Sequence, residues 1–453
     1  MLAGLLVAGV LLRLWLIFTW QPAFVGYSDA ASYARAARDG VFTDLFRPAG
    51  YPVFLRLLHG FSDHVLTVTA LQHVLGIATA LILYVAVRRT AANPWVALIA
   101  PAVILLDGFQ VLIEHAVLSD SLFAFLVAVA LLALVQAPRQ RVRFALLPAV
   151  VIAYAATVRT IGLFLVPLVL AALLWPQPRL GLQRAALAAA AIAVVLGSYV
   201  HLQHDAVGAT GFSRASGWSS YSRVGQFADC SKFTPPAGTE QLCEQRPPGE
   251  RPGTDFYFWS AGSPATKAFG PPNTNDEQVG AFAHAVIRAQ LGDYLKAVGQ
   301  DFARYVFPEH YRRRRSGETQ AHYFAQAINE RDAGFIRSEM SGFYPGIPQT
   351  GRHATAVTRV YTTITWVRGP LMALLLLAAA AAPLLARERR AALLFSATAY
   401  VLLLVPVATQ VYDARYALSA LGSLCAAAAL AVDGVLARRR ASAPRPEPVL
   451  VAA

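Results

Sequence analysis

The sequence predicts an all-α polytopic membrane protein: about ten transmembrane helices that carry an external loop domain. The chain has 453 residues, of which 56% are hydrophobic and 14% charged, whereas soluble domains usually carry about 25% charged residues. Its apolar residues form runs of roughly 18 to 23, long enough to cross about 30 Å of hydrocarbon as helices. The net charge of +13 lies largely in clusters beside these runs. Membrane topology and anionic headgroups explain such clusters, so nucleic acid is not an expected partner.

Each apolar run is a candidate spanning helix. The first lacks a basic start and a cleavage site, so we expect a retained helix rather than a signal peptide, with Arg13 snorkelling or facing the bundle. The fifth and sixth runs are short and meet near Arg159, as two half-length helices or one broken unit. The candidates are Leu2–Trp20, Val65–Val87, Pro94–Ile113, Leu118–Gln136, Phe144–Thr157, Ile161–Trp175, Ala185–His201, Ile364–Ala386, Ala391–Ala408 and Ala417–Leu436.

Basic residues in short loops predict the orientation, because such residues are enriched on the cytoplasmic side. With ten spans, five clusters fall on one side: Arg88-Arg89; Arg139, Arg141 and Arg143; Arg179 and Arg184; Arg387, Arg389 and Arg390; and Arg438–Arg440. We therefore expect a multi-pass plasma-membrane protein with both termini inside. The predicted units are a transmembrane module (1–202) with a first external loop (21–64), an external or periplasmic loop domain (203–360), C-terminal transmembrane helices (361–437) and a disordered cytoplasmic tail (438–453).

The external segment Gln203–Tyr361 is rich in Pro, Gly, Ser and Asn. Cys230 and Cys243 both lie in it, which predicts a disulfide in an oxidising compartment. Apolar residues recur at helical spacing over Gln278–Tyr305, which predicts an amphipathic helix on the membrane surface or over a site. Arg312–Arg315 is a solvated or headgroup-binding patch, or an acceptor-binding one.

The first external loop holds polar residues next to the membrane. Asp29 is either a first-turn residue favoured by the helix dipole or a base whose pKa partial burial raises toward working pH. Arg47, followed by Pro48, is either a loop anchor on lipid phosphate or an arginine that grips a phosphate with both prongs.

More polar residues fall on the same side of the membrane. Glu114-His115 and Ser119-Asp120 lie at the external end of a hairpin, where charge at membrane depth costs about 2.5 kcal/mol or more. They indicate either a polar cavity or ordinary interfacial turn chemistry. Asp413 and Arg415 could also form a self-contained ion pair. Together these residues predict a mixed-charge site in which a phosphate leaves and a hydroxyl loses a proton: Asp29 and Asp120 as acids, with Arg47, Arg159, Arg415, Tyr416, Glu114 and His115 contacting substrate or phosphate.

The order of short motifs resembles a known family. An acid after the first helix is followed by RPAGYP, HAVLSDSLF, ATVRTIGLFLVPL and DARYAL. This resembles the GT-C superfamily of lipid-carrier-dependent glycosyltransferases, which includes protein O-mannosyltransferases and aminoarabinose transferases. The resemblance implies that Asp29 is the catalytic base, that Arg47 and Arg415 contact the carrier phosphate, and that Asp120 binds metal or acceptor. The first loop offers Asp29 alone where some members carry D-x-D, so a divalent metal (Mg²⁺ or Mn²⁺) on Asp29 and Asp120 stays an open question.

The sequence thus predicts a membrane glycosyltransferase with its site on the external face. A sugar on a polyprenyl phosphate, presented from the bilayer, would pass to a hydroxyl of a glycan, lipid or protein acceptor with inversion. One alternative is a transporter or flippase of lipid-linked sugars, which charges near the bilayer midplane and broken helices would favour. The other is a non-catalytic membrane scaffold, in which Asp29→Asn would retain full function.

Overall fold

The computed structural model describes residues 1–442 except 22, 25–27, 92, 140, 176, 209, 308–329, 346 and 348–355. The described residues form helices and no strand, apart from isolated bridge pairing such as that of Phe24 with Ala116. The helices of the first half are α1 (Leu2–Thr19), α2 (Ser28–Asp39), α3 (Gly50–His59), α4 (Val65–Arg88), α5 (Ile99–Leu106), α6 (Gly108–Glu114), α7 (Asp120–Gln136), α8 (Leu146–Val158), α9 (Val166–Leu174) and α10 (Pro178–Val207).

The second half begins with short helices outside the bundle and ends with long apolar ones. Its helices are α11 (Ser216–Gly225), α12 (Thr254–Trp259), α13 (Pro264–Phe269), α14 (Asp276–Ala289), α15 (Leu291–Ala303), α16 (Glu330–Ser341), α17 (Ala356–Thr365), α18 (Gly369–Leu385), α19 (Arg389–Thr409) and α20 (Tyr416–Ser442). Because α20 runs to Ser442, the first five residues of the predicted disordered tail, 438–442, are helical instead. The remainder of that tail and Arg312–Arg315 lie outside the described residues.

The described chain is an integral membrane protein by the length and composition of its helices. Six helices are long and apolar enough to span a membrane, and α5 with α6, bent by 56°, makes a seventh if counted as one span. The other predicted spans are shorter apolar helices, Asp120–Gln136, Val142–Val158 and Thr160–Leu174. Length and composition therefore identify six or seven spans, and the count of ten stays a prediction.

The bend between α5 and α6 has an identifiable cause at Asp107. Its backbone is extended, and its Oδ1 accepts a hydrogen bond of 2.7 Å from the Gln110 amide, which caps α6. Its Oδ2 accepts another, of 2.6 Å, from the amide of Val367, between α17 and α18. A side-chain cap favours a new helix start, so Asp107 both breaks the span and joins it to a distant helix pair.

The last helix, α20, forms the centre of the bundle. It packs against α18, α19, α5, α7 and α4. Its middle is a run of alanines, 426–429, each almost fully buried. Small side chains let helices approach closely where lipid supplies no hydrophobic driving force. This packing fixes the N-terminal end of α20, which begins at Tyr416 directly after Arg415, among the neighbouring helices.

The external segment has a core of its own, built around Trp218, Tyr221, Tyr257 and Phe282. The predicted disulfide is present: the Cys230 and Cys243 Cα atoms are 5.9 Å apart in the bonded pair.

The predicted amphipathic helix over Gln278–Tyr305 is two helices, α14 and α15, that meet at Gln290. The Gln290 backbone leaves the helical conformation, and its side chain bonds the amide of Asp229 at 3.3 Å and the carbonyl at 3.4 Å. The apolar face of α14 enters the external core, whereas α15 packs on α19 and exposes Leu291 and Leu295. The hydrogen bonds between Gln290 and Asp229 thus stabilise the break between the two helices.

Candidate active site

The beginnings of α2, α7 and α20 meet at one end of the bundle. Asp29 lies in the first turn of α2 and Asp120 in the first turn of α7. Arg415 directly precedes α20. Carboxylates are stabilised at helix N-termini by the helix dipole, which explains locally why acids stand at these starts. The same dipoles make this end of the bundle favourable for anions in general.

Asp29 is held by two arginines from distant parts of the chain. Its Oδ1 accepts hydrogen bonds from Arg47, one of them from Nε at 2.9 Å, and its Oδ2 accepts one from Arg415 Nη2. The Asp29, Arg47 and Arg415 side chains are only 16%, 18% and 10% exposed. Both carboxylate oxygens are therefore occupied by guanidinium groups in a partly dehydrated setting, where charge-assisted hydrogen bonds are strong.

Asp120 continues the same charged group. Its Oδ1 accepts a hydrogen bond from Arg159, and its Oδ2 lies 3.9 Å from Arg415 Nη1. Arg415 Nε also lies 3.1 Å from Asp413 Oδ2, so Arg415 reaches three carboxylates. Asp413 and Arg415 do pair, but the pair is not self-contained. We call Asp29, Asp120, Arg47, Arg159 and Arg415 the arginine–aspartate cluster; these five predicted site residues are brought together.

The charges in this cluster set the protonation state of Asp29. Burial raises the pKa of Asp29, but the positive charges of Arg415 and Arg47 outweigh it and hold that pKa well below its usual range. This corrects the prediction that partial burial raises the pKa toward working pH. Asp29 is therefore ionised and paired with both arginines.

Arg47 is held in place by contacts within its own loop. Asp44 Oδ1 accepts hydrogen bonds of 2.8 Å from the amides of Phe46 and Arg47, and Asp44 Oδ2 lies 3.3 Å from Arg47 Nη1. A Cβ at Gly50 would lie 2.5 Å from the Thr157 backbone, so only glycine lets the loop approach α8 this closely. Asp44 was not among the predicted site residues, although an aspartate at the start of a turn is a recognisable turn signal.

A cavity of about 630 Å³ opens from the cluster and has two unlike walls. One wall is mainly apolar and lies between the 3₁₀ helix Thr160–Leu165 and α19; it includes Ile161, Phe164, Leu402 and Val405. The other comes from the external segment and carries hydroxyl groups and aromatic rings. Such a space suits a substrate with a lipid part and a polar part.

Two tyrosines complete the charged end of the cavity. The guanidinium carbon of Arg159 lies 5.3 Å from the centre of the Tyr416 ring, and that of Arg415 lies 5.7 Å from it. Tyr416 is thus a cavity residue, in line with its predicted place. Tyr33 was not among the predicted site residues. Its ring centre lies 6.0 Å from the guanidinium carbon of Arg47, and its hydroxyl shares a hydrogen bond of 3.0 Å with the Ser119 hydroxyl. Aromatic faces attract cations, so these rings help to orient the arginines.

Glu114 and His115 do not line this cavity, which corrects their predicted role. Both oxygens of Glu114 accept hydrogen bonds from Arg13, at 2.7 and 2.8 Å, so Arg13 faces the bundle. His73 lies between the two predicted residues, 3.0 Å from Glu114 and 3.1 Å from His115. All four side chains are at least 97% buried. A carboxylate buried against an arginine is satisfied within the bundle and is not available to a substrate.

The predicted metal ligands do not fit a divalent ion in this arrangement. Asp29 accepts from Arg47 and Arg415, and Asp120 accepts from Arg159. In the part of the chain that the structure describes, no three His, Cys, Asp or Glu side chains are grouped to hold a metal ion. A divalent ion between Asp29 and Asp120 would have to displace guanidinium groups of the same charge sign.

No protein-family model and no curated protein sequence matches the chain. Two solved structures are similar to it. One is the archaeal oligosaccharyltransferase AglB from Archaeoglobus fulgidus in complex with an inhibitory peptide and a dolichol-phosphate, with 12% identity and a TM-score of 0.45 over 98% of this chain and 52% of that one. The other is ArnT from Cupriavidus metallidurans bound to undecaprenyl phosphate, with 15% identity and a TM-score of 0.38 over 98% and 81%.

The chain spans about half the length of the oligosaccharyltransferase. At these TM-scores neither similarity supports an inference about fold or activity, so the GT-C resemblance stays a prediction. The function proposed below is supported by the geometry of the site.

Proposed function

We propose that this protein is a membrane glycosyltransferase that moves a sugar from a polyprenyl-phosphate carrier to an acceptor hydroxyl. One observation supports it most: Arg47 and Arg415 converge on Asp29 at the end of a cavity that has an apolar wall. Two arginines match the geometry of a phosphate, and an apolar wall matches a polyprenyl chain. The carboxylate held between them could turn to the acceptor hydroxyl and serve as its base once the arginines bind the phosphate.

The donor phosphate would exchange places with Asp29 in the arginine pairs. Arg47 and Arg415 now satisfy Asp29, and a phosphate monoester or diester carries oxygens of the same kind. When the guanidinium groups turn to the phosphate, its negative charge balances the positive charges that hold the pKa of Asp29 down. The proton affinity of Asp29 therefore rises once the donor is bound, which makes the base effective only in the loaded site.

The transfer itself is a single displacement. The acceptor oxygen forms a bond to the anomeric carbon while the bond from that carbon to the carrier phosphate oxygen breaks. The electron pair of the broken bond leaves with the phosphate, and the hydroxyl proton passes to Asp29. Arg47 and Arg415 stabilise the negative charge that develops on the leaving phosphate. Attack from the side opposite the phosphate inverts the anomeric centre.

We also propose that ten spans place this site on the external face of the plasma membrane. The three shorter apolar helices, Asp120–Gln136, Val142–Val158 and Thr160–Leu174, would then cross the bilayer with the six long ones and the bent pair. This count leaves the arginine-rich short loops inside. A cysteine-accessibility scan with an impermeant maleimide in spheroplasts would test the external placement of the first loop, with labelling expected at Thr43→Cys and not at Thr90→Cys.

The enzyme proposal is tested with the full-length chain in lipid nanodiscs and synthetic undecaprenyl-phosphate hexoses. We expect release of undecaprenyl phosphate when an acceptor is supplied, loss of release in Arg47→Ala, and normal release in Arg38→Ala. Arg38 is a matched control because it lies on α2 but pairs with exposed Asp39 instead of Asp29. Equal release by the two variants would remove the proposed phosphate role of Arg47.

One observation favours a second candidate, a transporter of lipid-linked sugars. The bent pair α5–α6 and the buried Arg13–Glu114 pair place a broken helix and charges inside the bundle, as transporters do. Movement of a fluorescent lipid-linked sugar across proteoliposomes, lost in Glu114→Gln and retained in Asp29→Asn, would identify this candidate. The enzyme proposal expects no such movement.

A further inference from the structure

The short helix α12 presents one buried face and one cavity face. Tyr257 points into the external core, where it is fully buried, and its carbonyl accepts a hydrogen bond of 2.9 Å from Ser263. Residues three and four positions apart share a helix face, so Asp255, Phe258 and Trp259 lie together on another face. All three line the cavity. Burial of Tyr257 therefore fixes the direction in which this second face points.

Three aromatic rings form a cluster in the lining of the cavity. The ring centres of Phe258 and Trp259 are 4.4 Å apart, and the Phe46 ring lies 5.7 Å from Phe258 and 5.3 Å from Trp259. Trp259 is 57% exposed although it belongs to this cluster. Phe46 directly precedes Arg47, so the aromatic cluster is connected by one peptide bond to the arginine that we assign to the donor phosphate.

The same wall carries small polar groups rather than apolar ones. Ser219, Ser222 and Thr254 contribute hydroxyl groups, and Asp255 contributes a carboxylate. A flat exposed ring beside hydroxyl and carboxylate groups is suited to a pyranose or furanose: its C–H face packs on the ring, and its hydroxyl groups donate to the carboxylate.

We propose that this wall, formed by Phe46, Phe258, Trp259 and Asp255, is the acceptor subsite, and that the acceptor is a saccharide with neighbouring free hydroxyl groups. This inference rests on the proposed function and names its second substrate. The sugar ring stacks on Trp259 and Phe258, with Asp255 accepting from its hydroxyl groups. An apolar acceptor would dehydrate these polar groups without offering them hydrogen bonds.

The subsite is tested by saturation-transfer NMR on the full-length chain in lipid nanodiscs. The probes are methyl glycosides of glucose, galactose, mannose and arabinose, and a short neutral peptide with one central serine. We expect ring C–H protons of at least one glycoside to receive saturation, with a loss of at least about fivefold in Trp259→Ala, because stacked rings supply most of such contact energy. Trp259→Phe retains a ring and should restore most of the signal.

Trp95→Ala is the matched control, since Trp95 is 61% exposed and lies far along the chain in another loop. It should leave the glycoside signals unchanged. Asp255→Asn should weaken the signals while keeping the rings in place. If no glycoside binds, or if Trp259→Ala and Trp95→Ala give equal signals, the inference is wrong. Binding of the peptide alone, lost in Trp259→Ala, would also overturn it and assign the wall to a protein acceptor.

Native mass spectrometry of the same nanodiscs with undecaprenyl phosphate separates this inference from the enzyme proposal. If undecaprenyl phosphate binds through Arg47 and no glycoside binds, the saccharide subsite fails alone. If glycosides bind through Trp259 and undecaprenyl phosphate does not bind, the carrier-phosphate proposal fails and the saccharide site stands. Brominated lipid quenches the fluorescence of tryptophans that lie in the membrane interface. If it quenches a signal that Trp259→Ala removes, and no glycoside binds, Trp259 is an interfacial anchor and the inference is contradicted.

Discussion

Arg415 donates a hydrogen bond to Asp29 across 386 residues of sequence. The pair joins the loop region between α1 and α4 to the turn before the central helix α20, so two distant parts of the chain meet at one carboxylate. Arg47 occupies the other oxygen of that carboxylate. The two arginines that hold Asp29 ionised are the same two that we propose bind the carrier phosphate.

Replacing Asp29 with asparagine should separate binding from transfer. We expect transfer to fall by about 10²–10⁴-fold, the usual contribution of a general base. Binding of undecaprenyl phosphate should be retained or strengthened, because the arginines lose their competing anion. Native mass spectrometry and undecaprenyl phosphate release measure the two quantities. Loss of both together would indicate that Asp29 holds the site in shape rather than acting as the base.

Replacing Arg415 with lysine should weaken carrier binding although the charge is kept. The guanidinium reaches Asp29, Asp120 and Asp413, whereas an ammonium group lacks the planar fork that matches a phosphate. Losing a charge-assisted hydrogen bond of about 1.5–3 kcal/mol corresponds to about 10–100-fold weaker binding of undecaprenyl phosphate. Arg438→Lys, at the far end of α20, is the control. Unchanged binding in Arg415→Lys would exclude a two-pronged contact.

The low pKa of Asp29 makes a prediction about stability and pH. A carboxyl group whose folded-state pKa lies below its unfolded value stabilises the fold fully above the unfolded value, about 4, and loses that effect only as pH falls further. Asp29 is such a group. The melting temperature of the unaltered chain should therefore exceed that of Asp29→Asn by a constant amount from pH 8 to 5. A difference that shrinks between pH 8 and 6 would mean that Asp29 titrates near neutrality.

The Arg13–Glu114 pair should matter for folding rather than for substrate. Both side chains are almost fully buried, and removing one partner of such a pair costs about 3–5 kcal/mol because the other charge stays uncompensated. Arg13→Met and Glu114→Gln alone should each lower the amount of folded protein in membranes, and the double variant should recover much of it. Size-exclusion profiles in detergent measure this. If the single variants fold normally but lose carrier binding, Glu114 belongs to the substrate site after all.

Chelation should leave carrier binding intact. Arginine side chains occupy the carboxylates of Asp29 and Asp120, so the phosphate has cations to bind without a divalent ion. We expect EDTA to change the affinity for undecaprenyl phosphate by less than about twofold, because the arginines supply the positive charge that the phosphate needs. A large loss on chelation that Mg²⁺ or Mn²⁺ restores would reinstate a metal on these two residues.

The sequence was sufficient to find the charged residues but not all of their partners. Asp29, Arg47, Asp120, Arg159 and Arg415 could be selected because charge at the membrane boundary is costly and therefore conspicuous. Glu114 met the same criterion and was assigned wrongly. Its partner Arg13 lies 101 residues away, and nothing in local sequence distinguishes a carboxylate facing a cavity from one facing a buried arginine.

The external segment was harder to interpret for a different reason. Its short helices carry no long periodicity, so α12 and its cavity face could not be predicted from spacing. The break at Gln290 depends on hydrogen bonds to Asp229 in another loop, and tertiary contacts of that kind override the local amphipathic pattern. Long-range packing, rather than residue type, decides both features.

The central claim is that Arg47 and Arg415 bind the carrier phosphate beside Asp29. A cryo-electron microscopy structure of the full-length chain in nanodiscs with added undecaprenyl phosphate tests it most directly. We expect phosphate density in contact with both guanidinium groups and density for the lipid chain along Ile161, Phe164 and Val405. We also expect Asp29 to have lost its hydrogen bonds to at least one of the two arginines. Density for the phosphate elsewhere, with Asp29 still paired to both arginines, would contradict it.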